Sequence, residues 1–133
     1  MKFRYLLPFI AWAIVILFII AIPGSSIPES PLFLIPHFDK IIHAGIFFLL
    51  GVFAVFGFTK QGDKTIIKRN AYTFGVFFCV IYGILTEVIQ HFYISERSGE
   101  FADVIANTAG AVAGVSVFYY LIKTNKIRKI LSI

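Results

Sequence analysis

Apolar residues make up 59% of the 133-residue chain and charged residues 14%, where soluble domains carry roughly a half and a quarter. So short a chain has too much surface for its volume to hide that much apolar area from water, which excludes a water-soluble globule and leaves lipid as the solvent. The formal net charge of +5 does not mark a nucleic-acid binder, because the basic residues fall in short clusters between long apolar runs.

The first apolar run covers residues 6–22, about the minimum for a span at 1.5 Å per residue. Lys2 and Arg4 precede it, as in a signal peptide, but Ala21-Ile22-Pro23-Gly24 offers no small-residue cleavage pattern. It therefore reads as an uncleaved span, with Pro8 near its start, where a helix tolerates proline. Residues 23–36 carry four prolines and several serines and form a loop. The second span is expected at 39–58, a short basic linker at 61–70, the third span at 71–92 and the fourth at 103–122. A basic tail, Lys123 to Lys129, follows. The expected fold is all-α: a single domain, residues 1–133, built as a compact bundle of four transmembrane helices. The one cysteine, Cys79, lies inside an apolar run and has no intrachain disulfide partner; it reads as a small packing residue.

Charge asymmetry gives an expected orientation. Lys2, Arg4, Lys60, Lys64, Lys68, Arg69, Lys123, Lys126, Arg128 and Lys129 fall on one side of the four-span topology, and only Lys40 and Arg97 on the other. By the positive-inside rule both termini are expected in the cytoplasm. The acids take the opposite side: Glu29, Asp39, Glu87, Glu96, Glu100 and Asp103 lie in the outer half, and only Asp63 inside.

The polar residues beside the apolar runs are grouped. Asp39 and His43 are four apart at the outer start of the second span. Glu87, Gln90 and His91 are spaced i, i+3, i+4 at the outer end of the third, and Asp103 and Asn107 are four apart at the outer start of the fourth. Such spacings place side chains on one helix face, so three helices present polar faces at one depth. An ionisable group at membrane depth costs several kcal/mol unless paired or wet, which makes each a candidate site residue. Asp39 and Asp103 have a plain alternative as helix caps; Glu87, one turn inside its helix end, has none. Lys40 and Arg97 are the available counter-charges.

Imidazole and carboxylates suit zinc or manganese, but no two histidines sit at ligand spacing on one helix, and the reading assigns no metal and no cofactor. No nucleophile motif is present; Ser98, in Arg97-Ser98-Gly99, reads as a turn residue. Ala102, Ala106, Gly110, Ala113 and Gly114 make a small-residue stripe on the fourth span, with a G-x-x-x-G pair at Gly110 and Gly114. Such a stripe admits a close neighbouring helix, first within the chain and, as the alternative, in a homo-oligomer.

Three segments carry a resemblance. Asp39-Lys40-Ile41-Ile42-His43 resembles the D-K-x-x-H signature of the VanZ-like membrane proteins. Gly83-Ile84-Leu85-Thr86-Glu87-Val88-Ile89-Gln90 is similar to that family's G-x-x-x-E-x-x-Q segment, and Arg97 to Gly110 to its R-x-x-x-x-x-D-x-x-x-N-x-x-G stretch. They occur in the family's order over about residues 35–114. One departure is Phe47, four residues after His43, where the family often has tyrosine. The resemblance implies a multi-pass protein of the bacterial cytoplasmic membrane, linked to low-level resistance to the glycopeptide teicoplanin. The expected partners are membrane lipids and a lipid-linked cell-wall precursor or glycopeptide, with no nucleic acid. The favoured function is a non-enzymatic one: Asp39, Lys40, His43, Glu87, Gln90, Arg97, Asp103 and Asn107 form an outer pocket for a lipid-linked head group. The alternative is an intramembrane enzyme with Glu87, His43 and Asp103 as acid–base groups.

Overall fold

A computed structural model describes residues 2–23, 25, 35–94 and 100–124. Arg97, Ser98, Glu29, Glu96 and the basic residues beyond 124 lie outside this set. Every regular element among the described residues is helical: a short 3-10 turn, Phe3–Tyr5, then α1 (Leu7–Ile20), α2 (Phe38–Thr59), α3 (Ile66–Arg69), α4 (Ala71–Tyr93) and α5 (Phe101–Lys123). Helices α2, α4 and α5 are each long and apolar enough to cross a membrane. Helix α1 is apolar but shorter: its 14 residues rise about 21 Å, against a hydrocarbon core of roughly 30 Å. The expected first span is therefore cut at both ends, by the 3-10 turn that precedes it and by the turn at Ala21, two residues before Pro23.

Helix α2 packs most extensively on α5, and the small-residue stripe explains how. A Cβ on Gly110 would lie 2.1 Å from the Ala44 carbonyl oxygen, and one on Gly114 2.1 Å from that of Phe48. In return, a Cβ on Gly51 of α2 would lie 2.6 Å from the Ala111 carbonyl oxygen. Backbones this close exclude any side chain at these three positions, so Gly110 and Gly114 are occupied by α2 of the same chain. Helix α4 lies against both partners: Gly75 meets Val55, and Gly83 meets Asn107 and Phe47.

Helix α1 is pinned to the bundle by two polar side chains inside apolar sequence. The Trp12 indole N–H donates to the Ile46 carbonyl at 2.9 Å, and the Tyr82 hydroxyl donates to the Ala13 carbonyl. Ile16, Ile20, Phe47, Leu50, Ala54, Cys79 and Ala111 form the buried core between the helices. Outward faces carry Phe18, Phe77, Leu85 and Phe92, all exposed, as a lipid solvent favours.

At one end of the bundle the chain start, the α2–α4 linker and the end of α5 gather the basic residues. Gln61, buried there, accepts from the Lys2 backbone N–H at 2.8 Å and donates to the Gly57 carbonyl at 2.9 Å. Arg4 and Lys60 both lie over the Tyr5 ring. The Thr65 hydroxyl caps α3, and the Lys68 ammonium paired with Asp63 holds that exposed carboxyl below its usual range. At the other end, the start of α2, the end of α4 and the start of α5 come together.

Candidate functional site

The polar faces of α2, α4 and α5 meet. Asp39, Lys40 and His43 come from the first turns of α2, Glu87 and Gln90 from the last turns of α4, and Asp103 and Asn107 from the first turns of α5. Glu87 is only 5% exposed and Asn107 only 1%; Gln90 and Asp103 are also buried. Neither aspartate occupies a helix N-cap position. His37, in the left-handed region at φ 61°, precedes α2, and Glu100 precedes α5. Asp39 and Asp103 sit instead within the first turns, where the helix dipole favours a negative charge and where both side chains can reach Lys40.

Lys40 is the hub of the outer part of the cluster. Its ammonium lies 2.7 Å from Asp39 Oδ2, 2.7 Å from Glu100 Oε2 and 2.8 Å from Asp103 Oδ1. The approach to Asp103 Oδ1 is an ion pair without hydrogen-bond alignment, since that oxygen has no hydrogen-bond partner. The expected counter-charge role of Lys40 is thus realised inside the chain. Glu100, absent from the motif-based set of site residues, is one of its three partners; it stands one helical turn before Asp103, and that spacing was the available signal.

Deeper in, Asn107 bridges two helices. Its Nδ2 donates to Glu87 Oε1 at 3.1 Å, and its Oδ1 faces His43 Nδ1 at 3.1 Å. His43 Nδ1 is also 3.5 Å from Glu87 Oε1. Glu87 Oε2 has no hydrogen-bond partner among the described residues. The ligand-type atoms of His43, Glu87 and Asp103 all lie within 4.8 Å of one another, as do those of Asp39, Glu100 and Asp103. Gly83 lets α5 come this close, because a Cβ there would sit 3.2 Å from the Asn107 Cβ and 3.2 Å from the Phe47 ring. Phe47 itself is buried beside Tyr82, with ring centroids 6.2 Å apart. Arg97 lies outside the described residues.

A groove of about 310 Å³ runs between α4 and α5 to this cluster. Ile84, Val88, Phe92, Phe101 and Val104 give it apolar walls, and Glu87, His91 and Glu100 supply its polar positions. Most of those apolar side chains are exposed on the outside of the bundle, so the groove opens sideways, toward lipid.

An all-α membrane protein in which three helices enclose an ion-paired and hydrogen-bonded cluster at one end is what the fold and the site define. The VanZ/LLP1 family model matches residues 5–123, which include every helix but for the first turn of chain. The chain belongs to the VanZ/LLP1 family. Comparisons with curated proteins and with solved structures gave no match.

Proposed function

We propose that this protein is a VanZ-like cell-envelope protein of the bacterial cytoplasmic membrane whose polar cluster, on the outer side, accommodates the head group of a lipid-linked ligand. The observation that carries this reading is the lateral groove: apolar side chains line it, and Glu87 and Glu100 of the polar cluster are among its lining residues. An acyl or prenyl chain fits such walls, while its polar end meets Glu87 and the groups behind it. Lys40 is already shared by three carboxylates, so its part is to hold Asp39, Glu100 and Asp103 in place around the head group. A lipid-linked cell-wall precursor has this amphiphilic form, and altered handling of it at the outer surface would lower teicoplanin susceptibility.

The test is binding of a lipid-linked wall precursor to purified protein in nanodiscs, followed by native mass spectrometry. Val88→Trp, which fills the groove from its exposed side, is expected to weaken binding about tenfold or more while the helical content stays unchanged. Equal binding by wild type, Val88→Trp and Glu87→Gln overturns the reading. In cells, a sensitive host carrying wild type is expected to show lower teicoplanin susceptibility than one carrying Glu87→Gln at matched membrane level.

One observation favours a second reading, an intramembrane enzyme. His43 Nδ1 is held between Asn107 Oδ1 and Glu87 Oε1, an acid–base pair with a positioning partner. Turnover of a lipid-linked substrate with a bell-shaped pH profile, abolished by Glu87→Gln with binding retained, would establish it in place of simple binding.

A further inference from the structure

We infer that His43, Glu87 and Asp103 form a site for a divalent transition-metal ion of the zinc or manganese kind, with Asn107 Oδ1 as a further donor. No single helix offers paired histidines, so the sequence by itself points to no metal. The structure supplies the donors from three helices: His43 from α2, Glu87 from α4, and Asp103 and Asn107 from α5.

Donor spacing is the first argument. Metal–ligand bonds of about 2.0–2.2 Å place neighbouring donors roughly 3.0–3.6 Å apart. His43 Nδ1 stands 3.5 Å from Glu87 Oε1 and 3.1 Å from Asn107 Oδ1, and the donor atoms of His43, Glu87 and Asp103 are all within 4.8 Å of one another. Bringing the Asp103 side from at most 4.8 Å to this spacing takes a side-chain shift of up to about 1.2 Å.

The second argument is independent of spacing. Glu87 is more than nine-tenths buried, and its Oε2 has no hydrogen-bond partner among the described residues. A buried carboxylate oxygen left unmatched is costly, and a bound ion or water is the usual resolution. The neighbouring triplet shows the contrast. Asp39, Glu100 and Asp103 surround the Lys40 ammonium at 2.7–2.8 Å, so a cation of the chain's own fills that centre and no metal is needed there. No lysine or arginine among the described residues pairs with Glu87; its ionisable neighbours are the His43 imidazole and the Asp103 carboxylate. One ammonium faces four carboxylates across the whole cluster, which favours a doubly charged guest.

Donor chemistry then selects the ion. One imidazole nitrogen with carboxylate and amide oxygens suits zinc or manganese, whereas calcium and magnesium prefer oxygen alone. Binding through Nδ1 uses that nitrogen's lone pair, so the ring proton resides on Nε2. Asn107 Oδ1, no longer accepting from Nδ1, is then free to face the ion.

Purified protein in detergent micelles, stripped with chelator, would be titrated with Zn²⁺, Mn²⁺, Ca²⁺ and Mg²⁺ by calorimetry, with metal content measured after desalting. No lipid ligand is added, so the result stands apart from the lipid-binding reading. A single Zn²⁺ or Mn²⁺ per chain is expected, with Glu87→Gln and His43→Ala weakening it by about tenfold or more. His37→Asn, at an exposed position whose left-handed φ asparagine tolerates, is expected to leave it unchanged. X-ray absorption of the zinc-loaded wild type is expected to show imidazole nitrogen and oxygen ligands, and this readout holds even where a variant fails to fold. Absence of saturable binding, loss of binding in His37→Asn, or a shell containing sulfur or lacking imidazole overturns the site.

Discussion

Lys40 is shared by Asp39, Glu100 and Asp103, and the three contacts differ in what they contribute. Asp39 and Glu100 have side chains 52% exposed, so water screens them; Asp103, at 8%, is the partner that depends on the ammonium. Removing the ammonium leaves a buried carboxylate uncompensated, which costs more than the pair's formation returned. With Lys40 itself partly exposed, Lys40→Met is expected to destabilise the bundle by about 1–3 kcal/mol, between the exposed and the buried limits. Unfolding in dodecyl maltoside micelles would measure this, and the double variant Lys40→Met with Asp103→Asn should recover part of the loss. A double variant no more stable than Lys40→Met alone would show that Asp103 is not the residue left stranded. Glu87, Asp103, Asn107 and His43 were legible in the sequence as polar residues on helical faces. Their wiring was not, because helical spacing fixes a face but leaves the rotation of one helix against another open. Glu100 is marked in the sequence only by standing one turn before Asp103, and its partner Lys40 is 60 residues away.

At the scale of elements, the rotation is set by glycine. Gly110 and Gly114 of α5 leave room for the carbonyls of Ala44 and Phe48, and Gly51 of α2 for that of Ala111. Those contacts register α2 against α5 beside the cluster: Ala44 directly follows His43, and Gly110 lies one turn past Asn107. Gly114→Ala would place a methyl group 2.1 Å from a backbone oxygen, so the helices must separate. The expected cost is about 1–3 kcal/mol, with a matching loss of whatever binding the cluster supports. Gly45, on the same helix as the cluster, has nothing within 4 Å of a built Cβ; Gly45→Ala is expected to be neutral or more stable by about 0.5–1 kcal/mol through helix propensity alone. Equal unfolding midpoints for the two variants would show that close approach does not set the packing. The positions of α2, α4 and α5 were readable from apolar runs, and their limits shift by no more than two residues. Helix α1 was less so, because hydropathy counts Leu6, Ala21 and Ile22 as membrane material, while the backbone turns before and after them.

For the whole molecule, charge is sorted between the two ends. Lys2, Arg4, Lys60 and Gln61 are tied together at one end by Gln61 and the Tyr5 ring; Asp39, Glu87, Glu100 and Asp103 converge at the other. By the positive-inside rule, which retains lysine and arginine on the cytoplasmic side during insertion, the basic end is the expected cytoplasmic one. The acid-bearing cluster would then face outward, where lipid-linked wall precursors are displayed. Single cysteines separate the two orientations. In a Cys79→Ala background, with the buried native thiol removed, Ile35→Cys marks the cluster end and Asp63→Cys the basic end, both at exposed positions. A membrane-impermeant maleimide applied to intact cells or spheroplasts is expected to label Ile35→Cys, and to label Asp63→Cys only after permeabilisation. The reverse pattern would place the cluster in the cytoplasm and remove cell-wall precursors on the outer leaflet as its ligands, leaving the groove open to lipids of the inner leaflet.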